Sequence, residues 1–200
     1  MMGRRQRVRV QATPIEPGSG RRLVRVGEES RELVALPDSL AEGLVWRQPR
    51  ALQRVYWLES ARGAHLVVQG PPRPFASNRD CPMEALDGSW MAHMKLGFGF
   101  QRTPVVDASG TPLLEFKPGF LGRGAFLLAT GETLAWKRTM TSHELRDAQG
   151  VMLFSVRQRF AWFRANAQVE VSPEGRARKD LLPLIGTLWL QLRDRHRRHS

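Results

Sequence analysis

The chain has 200 residues, 42% hydrophobic and 25% charged, the proportions of a soluble globular protein long enough to bury a core as one domain. Its single cysteine, Cys81, excludes an internal disulfide, and no apolar run reaches the ~20 residues of a membrane-spanning helix. The formal net charge of +12 points toward anionic partners, and where that charge sits decides which.

The N-terminal stretch MMGRRQRVRVQATP has a basic start but lacks the roughly 7–15-residue apolar segment of a secretory signal, so the expected location is cytoplasmic or peripheral at a membrane. Residues 1–22 read as a basic arm carrying Arg4, Arg5, Arg7 and Arg9. Strands are expected at RVRVQ, RRLVRV and ELVAL within the first fifty residues.

From Arg54 the chain reads as serial hairpins. RVYWLESARGAHLVVQG turns around Gly63, and MEALDGSWMAHM turns at Asp87-Gly88. Between them, GPPRPFASNRD is the longest loop signal. LGFGFQ (96–101) reads as a strand, and GFLGRGAF (119–126) as a strand connection without the Gly-Lys-Ser/Thr of a phosphate loop.

The unit DASGTPLLEFKP (107–118) recurs as DAQGVMLFSVRQ (147–158), with a degenerate copy, ATGETLAWKRT (129–139), between them. Asp opens a type I turn and accepts backbone hydrogen bonds; Gly three residues on takes the left-handed conformation. Leu114 and Phe116, Leu134 and Trp136, and Met152, Phe154 and Val156 then alternate with other residues, the pattern of a half-buried strand. In the middle copy the apolar pair lies one position nearer the glycine, so its turn or bulge should differ. Ser172-Pro173-Glu174-Gly175 extends the series as a further turn.

The segment KDLLPLIGTLWLQLRDRHRRHS changes the period. Asp180 suits an N-cap, Pro183 fits the first turn, and a helix is expected over 181–192. Leu181, Leu184, Ile185, Leu188 and Leu192 form one face, while Leu182, Trp189 and Leu190 cover much of the rest. A cylinder apolar nearly all round must be buried nearly all round. Its ~18 Å is too short for a bilayer but matches the height of a small barrel. The fold expected is mainly β: a closed antiparallel barrel of about twelve strands, built from hairpins over 23–192, around a buried C-terminal helix. Residues 193–200 form a basic tail.

Charge is concentrated at the ends: residues 1–25 carry +6 and residues 176–200 carry +5, against +1 for the 150 between them. The near-neutral body argues against a charged pocket in the barrel wall. Arginine outnumbers lysine 27 to 4, which a GC-rich genome alone can produce. Anion-contacting candidates are Arg4, Arg5, Arg7 and Arg9, then Arg193, Arg195, Arg197 and Arg198. Arg157, Arg159 and Arg164 join them, because they flank the aromatic trio of RQRFAWFRAN. Trp57, Trp90, Trp136 and Trp189 lie in apolar runs and read as core.

Catalytic signals are lacking. His65, His93 and His143 fall in separate strands without metal-ligand spacing, Cys81 has no base nearby in sequence, and no Gly-x-Ser-x-Gly occurs. No cofactor or metal is implied.

Serial hairpins with Asp-x-x-Gly turns, closing on a hydrophobic C-terminal helix with a basic tail, resemble the tubby C-terminal-like superfamily, which includes LURP-one-related proteins and phospholipid scramblases. The resemblance runs over roughly residues 98–192, from FGFQRTPVVDASGTPLLEF through LLATGETLAWKRT and HELRDAQGVMLFSVR to the helix; it is looser over 50–97. It implies a twelve-stranded barrel and a non-enzymatic module associating with anionic phospholipid, here through basic termini. The tubby lipid pocket and the calcium segment of scramblases have no recognisable counterpart. Two alternatives stay open: non-specific nucleic-acid binding through the same arginines, and a barrel binding a partner protein or small ligand.

Overall fold

The computed structural model describes residues 10–12, 21–26, 29–37, 43–49, 54–70, 78–95, 102–120, 123–161 and 164–198, with the backbone alone at 10–12, 29, 78, 95, 159–161, 164–165 and 195–198. The strands are β1 (Val10–Ala12), β2 (Arg21–Val26), β3 (Glu29–Val34), β4 (Leu44–Arg47), β5 (Val55–Ser60), β6 (Gly63–Gln69), β7 (Asn78–Ala85) and β8 (Ser89–Lys95). They continue with β9 (Thr103–Asp107), β10 (Pro112–Pro118), β11 (Arg123–Leu128), β12 (Thr133–Arg138), β13 (His143–Arg146), β14 (Met152–Ala161) and β15 (Arg164–Val171). One helical turn, α1 (Pro173–Arg176), and a long helix, α2 (Leu181–Arg198), end the chain.

Twelve of these strands, β4 to β15, form a closed antiparallel barrel in the expected hairpin order. β15 returns to β4 through Ala167–Trp46, and β6 meets β7 through Leu66–Ala85 and Val68–Met83, which closes the ring. Closure leaves no unpaired edge in the wall, the reason a single hairpin cannot stand alone but twelve staves can.

The repeated units explain themselves at atomic detail. Asp107 Oδ1 accepts from the Ser109 and Thr111 amides at 2.9 Å each, and Gly110 sits at φ 85°. Asp147 does the same for Gln149 and Val151 at 3.0 and 2.8 Å, with Gly150 at φ 82°. In the degenerate copy the backbone turn is the same, with Gly131 N donating to Leu128 O at 2.9 Å, but no carboxylate supports it. The difference expected there is in the bulge. The first and third copies carry an extra residue after the turn, Leu113 and Leu153, while β11 and β12 pair without a shift.

The helix runs through the barrel. Every residue from Leu181 to Leu192 is buried, including Thr187 and Gln191. Thr187 Oγ1 donates to Pro183 O at 2.7 Å and Gln191 Nε2 to Thr103 Oγ1 at 2.9 Å, so these two polar side chains of the enclosed span each find a partner, whereas the indole N–H groups of Trp46 and Trp189 find none among the described residues. Trp189 stacks on Trp46 of β4 at 5.1 Å and meets Tyr56 edge-on at 5.6 Å. Gly186 lets the helix approach the wall: a Cβ there would lie 2.7 Å from Met83 Sδ.

Several expectations need correction. The helix reaches Arg198, not 192, so much of the expected tail is helical. Asp180 is not a side-chain cap; both its oxygens bind Arg178, and only its carbonyl receives Leu184 N, at 3.1 Å. Ser172–Gly175 is no hairpin turn: Ser172 caps α1, its Oγ accepting from Gly175 N at 3.0 Å. Asn78–Asp80, read as loop, belong to β7. The segment 96–101 lies outside the described residues, and the expected 119–126 connection is strand from Arg123.

The N-terminal strands lie outside the barrel, and a boundary at residue 22 cuts through β2. β1, β2 and β3 form an antiparallel sub-sheet whose inner face covers outward-facing residues of β5 and β6. Val24, Val26 and Leu33 pack there with Val55, Trp57, Ala64 and Val67 as a second, smaller core. Only Leu33–Ala64 joins β3 to β6 in the ladder. His65 is the extra residue of a bulge in β6; its Nδ1–H donates to Val34 O at 3.1 Å and its Nε2 accepts from Ser60 Oγ at 2.8 Å.

Candidate functional site

Because the staves alternate in direction, every second connection falls at the same mouth of the barrel. The short turns at 61–62, 86–88, 108–111, 129–132 and 147–151 all lie at the mouth where α2 begins, and α1 joins them. Asp87, Asp107, Glu132, Asp147 and Glu174 lie in or beside these turns, with Arg62, Arg146, Arg176, Arg178 and Lys179 among them, so this rim is of mixed charge. The Ser109 hydroxyl, then the Thr111 amide, hold the Asp107 carboxyl below its usual range.

The opposite mouth is where α2 emerges, and it is basic. Arg47, Arg54, Arg102, Arg123 and Arg138 stand at strand ends there, and Arg79 lies buried among them against Asp194. The intervening sequences QPRALQ, GPPRPFAS, LGFGFQ, GFLG, TMTS and WF contain no acid and many apolar residues. Two of their members that are described, Phe120 and Met140, are 74% and 103% exposed, so this rim combines cations with bare apolar side chains. The body is near neutral in sum, yet its charge is divided unevenly between the ends.

The same topology joins two groups of arginines that lie far apart in sequence. β14 pairs with β13 only through Met152–Val156, and β15 with β4 only through Ala167–Val169. Beyond them, among the described residues, β14 and β15 pair only with each other as far as Ala161–Arg164. They form a two-stranded ribbon standing past the wall at the basic mouth. Arg157 is exposed on this ribbon, and Arg159 and Arg164 lie along its backbone. Arg195, Arg197 and Arg198 occupy the last turns of α2 at the same mouth. Arg193 is half-buried, its guanidinium 5.8 Å from the Tyr56 ring and 6.0 Å from that of Trp189. It therefore braces the helix exit and is less available to an anion than the others. Arg4, Arg5, Arg7 and Arg9, and also Trp162 and Phe163, lie outside the described residues.

At the mouth where α2 begins, a cleft of about 360 Å³ opens between the first residues of the helix and the wall. Trp90, Leu113, Leu128 and Pro183 supply its apolar lining, and Ala129, Thr130, Arg178, Lys179 and Asp180 complete it. Trp90, expected in the core, is only half-buried because it faces this cleft. Arg178 donates to Glu132 through Nη1 and Nη2 at 3.0 and 2.8 Å and to Asp180 through Nε and Nη2 at 2.8 and 2.9 Å. Hydrogen bonding to Asp180 and then Glu132 raises the Arg178 pKa further above its ordinary value. The cleft was missed in the sequence, although the offset that makes Leu113 a bulge residue was visible there.

His65, His93 and His143 lie on β6, β8 and β13, and no group of three metal-ligating side chains occurs among the described residues. Cys81 is buried in the wall. No described helix is long and apolar enough to cross a membrane. No family model, no curated protein and no solved structure matches the chain.

Proposed function

We propose that this protein is a non-enzymatic binding module of the tubby and LURP-one-like type that associates with anionic phospholipid surfaces, its basic mouth facing the lipid. One observation carries the reading: arginines and exposed apolar side chains share a single rim, while the other rim mixes acids with bases. An anionic bilayer attracts each arginine near its surface by on the order of 1 kcal/mol, and the other end, where acids offset the bases, is attracted less, which sets the orientation. Phe120 and Met140 gain by entering the boundary between headgroups and acyl chains. The serial hairpins closing round a C-terminal helix support kinship with the superfamily.

Nucleic acid would use the same arginines through phosphate contacts, but it offers Met140 and its apolar neighbours no comparable gain. The barrel interior is filled by α2, which leaves an internal small-ligand reading without room.

Co-sedimentation with phosphatidylcholine vesicles, with and without phosphatidylserine, tests the proposal. Binding that needs the anionic lipid and weakens with salt is expected. Absence of binding to anionic vesicles at low salt, with salt-sensitive binding to single-stranded RNA, would replace lipid by nucleic acid.

A further inference from the structure

The cleft at the mouth where α2 begins has no part in that reading, and its lining has a chemistry of its own. Trp90 lies against the turn below it: a Cβ on Gly88 would be 2.9 Å from Trp90 Cζ2, so the indole is held in place as one wall. Leu113, the bulge residue, and Leu128 form a second wall, and Pro183 closes the helix side. Trp90 and Leu113 are half-buried and Leu128 and Pro183 are buried, so the apolar lining is only partly open to solvent at the mouth of a barrel, where small-molecule sites recur.

The charges around the cleft are not equivalent. Arg178 lies between two carboxylates and its donors point to them, so Glu132, Asp180 and Arg178 form a closed set. Lys179 is exposed, lines the cleft, and has no ion-pair partner among the described residues. The helix terminus itself offers an anion little, because Pro183 has no N–H and Leu181 N already donates to Arg178 O at 3.4 Å. Of the two cations lining the cleft, the one without an ion-pair partner among the described residues is therefore the lysine.

We infer that the cleft binds a small amphipathic carboxylate, its apolar body against Trp90, Leu113, Leu128 and Pro183 and its anionic end at Lys179. At about 360 Å³ the cleft stands at the small end of ligand sites, which run from roughly 300 to 1,000 Å³, so a ligand of about a dozen non-hydrogen atoms is the size to test. For ligands of that size the dissociation constant falls near the millimolar range.

The probe is 4-phenylbutyrate, titrated into the full chain by calorimetry and followed at the Trp90 indole N–H by NMR, with decanoate to separate aryl from alkyl bodies. One saturable site with a shift at Trp90 is expected. Lys179→Glu should weaken it by about tenfold or more. Ala129→Trp, or Thr130→Trp as the second blocking variant, should abolish it by filling the cleft from an exposed turn. Vesicle association through the opposite mouth should be unchanged in all three, so the two readings fail separately. No saturable binding, undiminished binding in both blocked variants, a silent Trp90, or equal affinity for 4-phenylbutylamine would overturn the assignment.

Discussion

Arg79 on β7 and Asp194 on α2 meet at 2.8 Å at the basic mouth, both side chains nearly buried. The pair ties the exit of the central helix to the wall just where the helix changes from apolar to charged. Removing one partner leaves a desolvated charge behind, which typically costs about 3–5 kcal/mol, whereas replacing both by apolar groups is far milder. Asp194→Ala should therefore lower stability in urea more than the double change Arg79→Met with Asp194→Leu. A single variant as stable as the native chain would show that the pair is solvated.

Leu188 is fully buried on the helix at mid-barrel. Leu188→Asp puts an unpaired charge among apolar walls and should abolish soluble folding. Normal expression and an unchanged melting temperature would contradict an enclosed helix.

The barrel was readable because its devices are local. Asp107 and Asp147 each write one turn with a following glycine, and the apolar residues from Leu181 to Leu192 exceed what one helix face needs. What could not be read is what depends on which end a residue reaches. Arg157 and Arg197 are separated by forty positions, and only the parity of the staves places them at one mouth. The charge sum of the body hid this unevenness for the same reason: opposite signs alternate along the chain but divide unevenly along the barrel axis. Asp180 misled because Arg178 lies two residues away and outcompetes the helix amides for its carboxylate. The outer packing of Trp57 was also invisible, since a residue on an outward face reads as core whichever layer covers it.

Glycine serves two different needs here, and substitutions should separate them. Gly131 has φ 88° and open space around it, so Gly131→Ala should cost only the left-handed conformation, about 1–2 kcal/mol. Gly175 shows no positive φ, yet a Cβ there would stand 2.0 Å from the Leu153 carbonyl oxygen. Gly175→Ala must move α1 off β14 and should cost about 3 kcal/mol or more. Urea denaturation of both variants checks the order; equal losses would mean that α1 yields without strain.

His65 links the outer sub-sheet to the barrel in its neutral form, and burial lowers its pKa from the ordinary 6.5. The unfolded chain then binds the proton more readily than the folded one. This contribution is thus complete above about pH 6.5 and declines as the pH falls through it, levelling off below the folded pKa. Between pH 7.5 and 5.5 or so, the native chain should lose stability and His65→Gln should lose less. An identical pH slope in the variant would move the titration elsewhere.

Phe120 and Met140 provide the sharpest separation of function from stability. Both are exposed, so the folded chain gains little from them, and Phe120→Asp with Met140→Asp should leave the melting temperature within a degree or two. At an anionic surface the same change removes two apolar contacts and adds two repelled charges. Apolar loss of roughly 1 kcal/mol per side chain and a similar electrostatic loss per charge predict at least a tenfold drop in vesicle association. Binding to RNA, driven by phosphate contacts, should fall much less. If vesicle binding survives intact, the arginines alone hold the protein to lipid, and the apolar rim belongs to another partner.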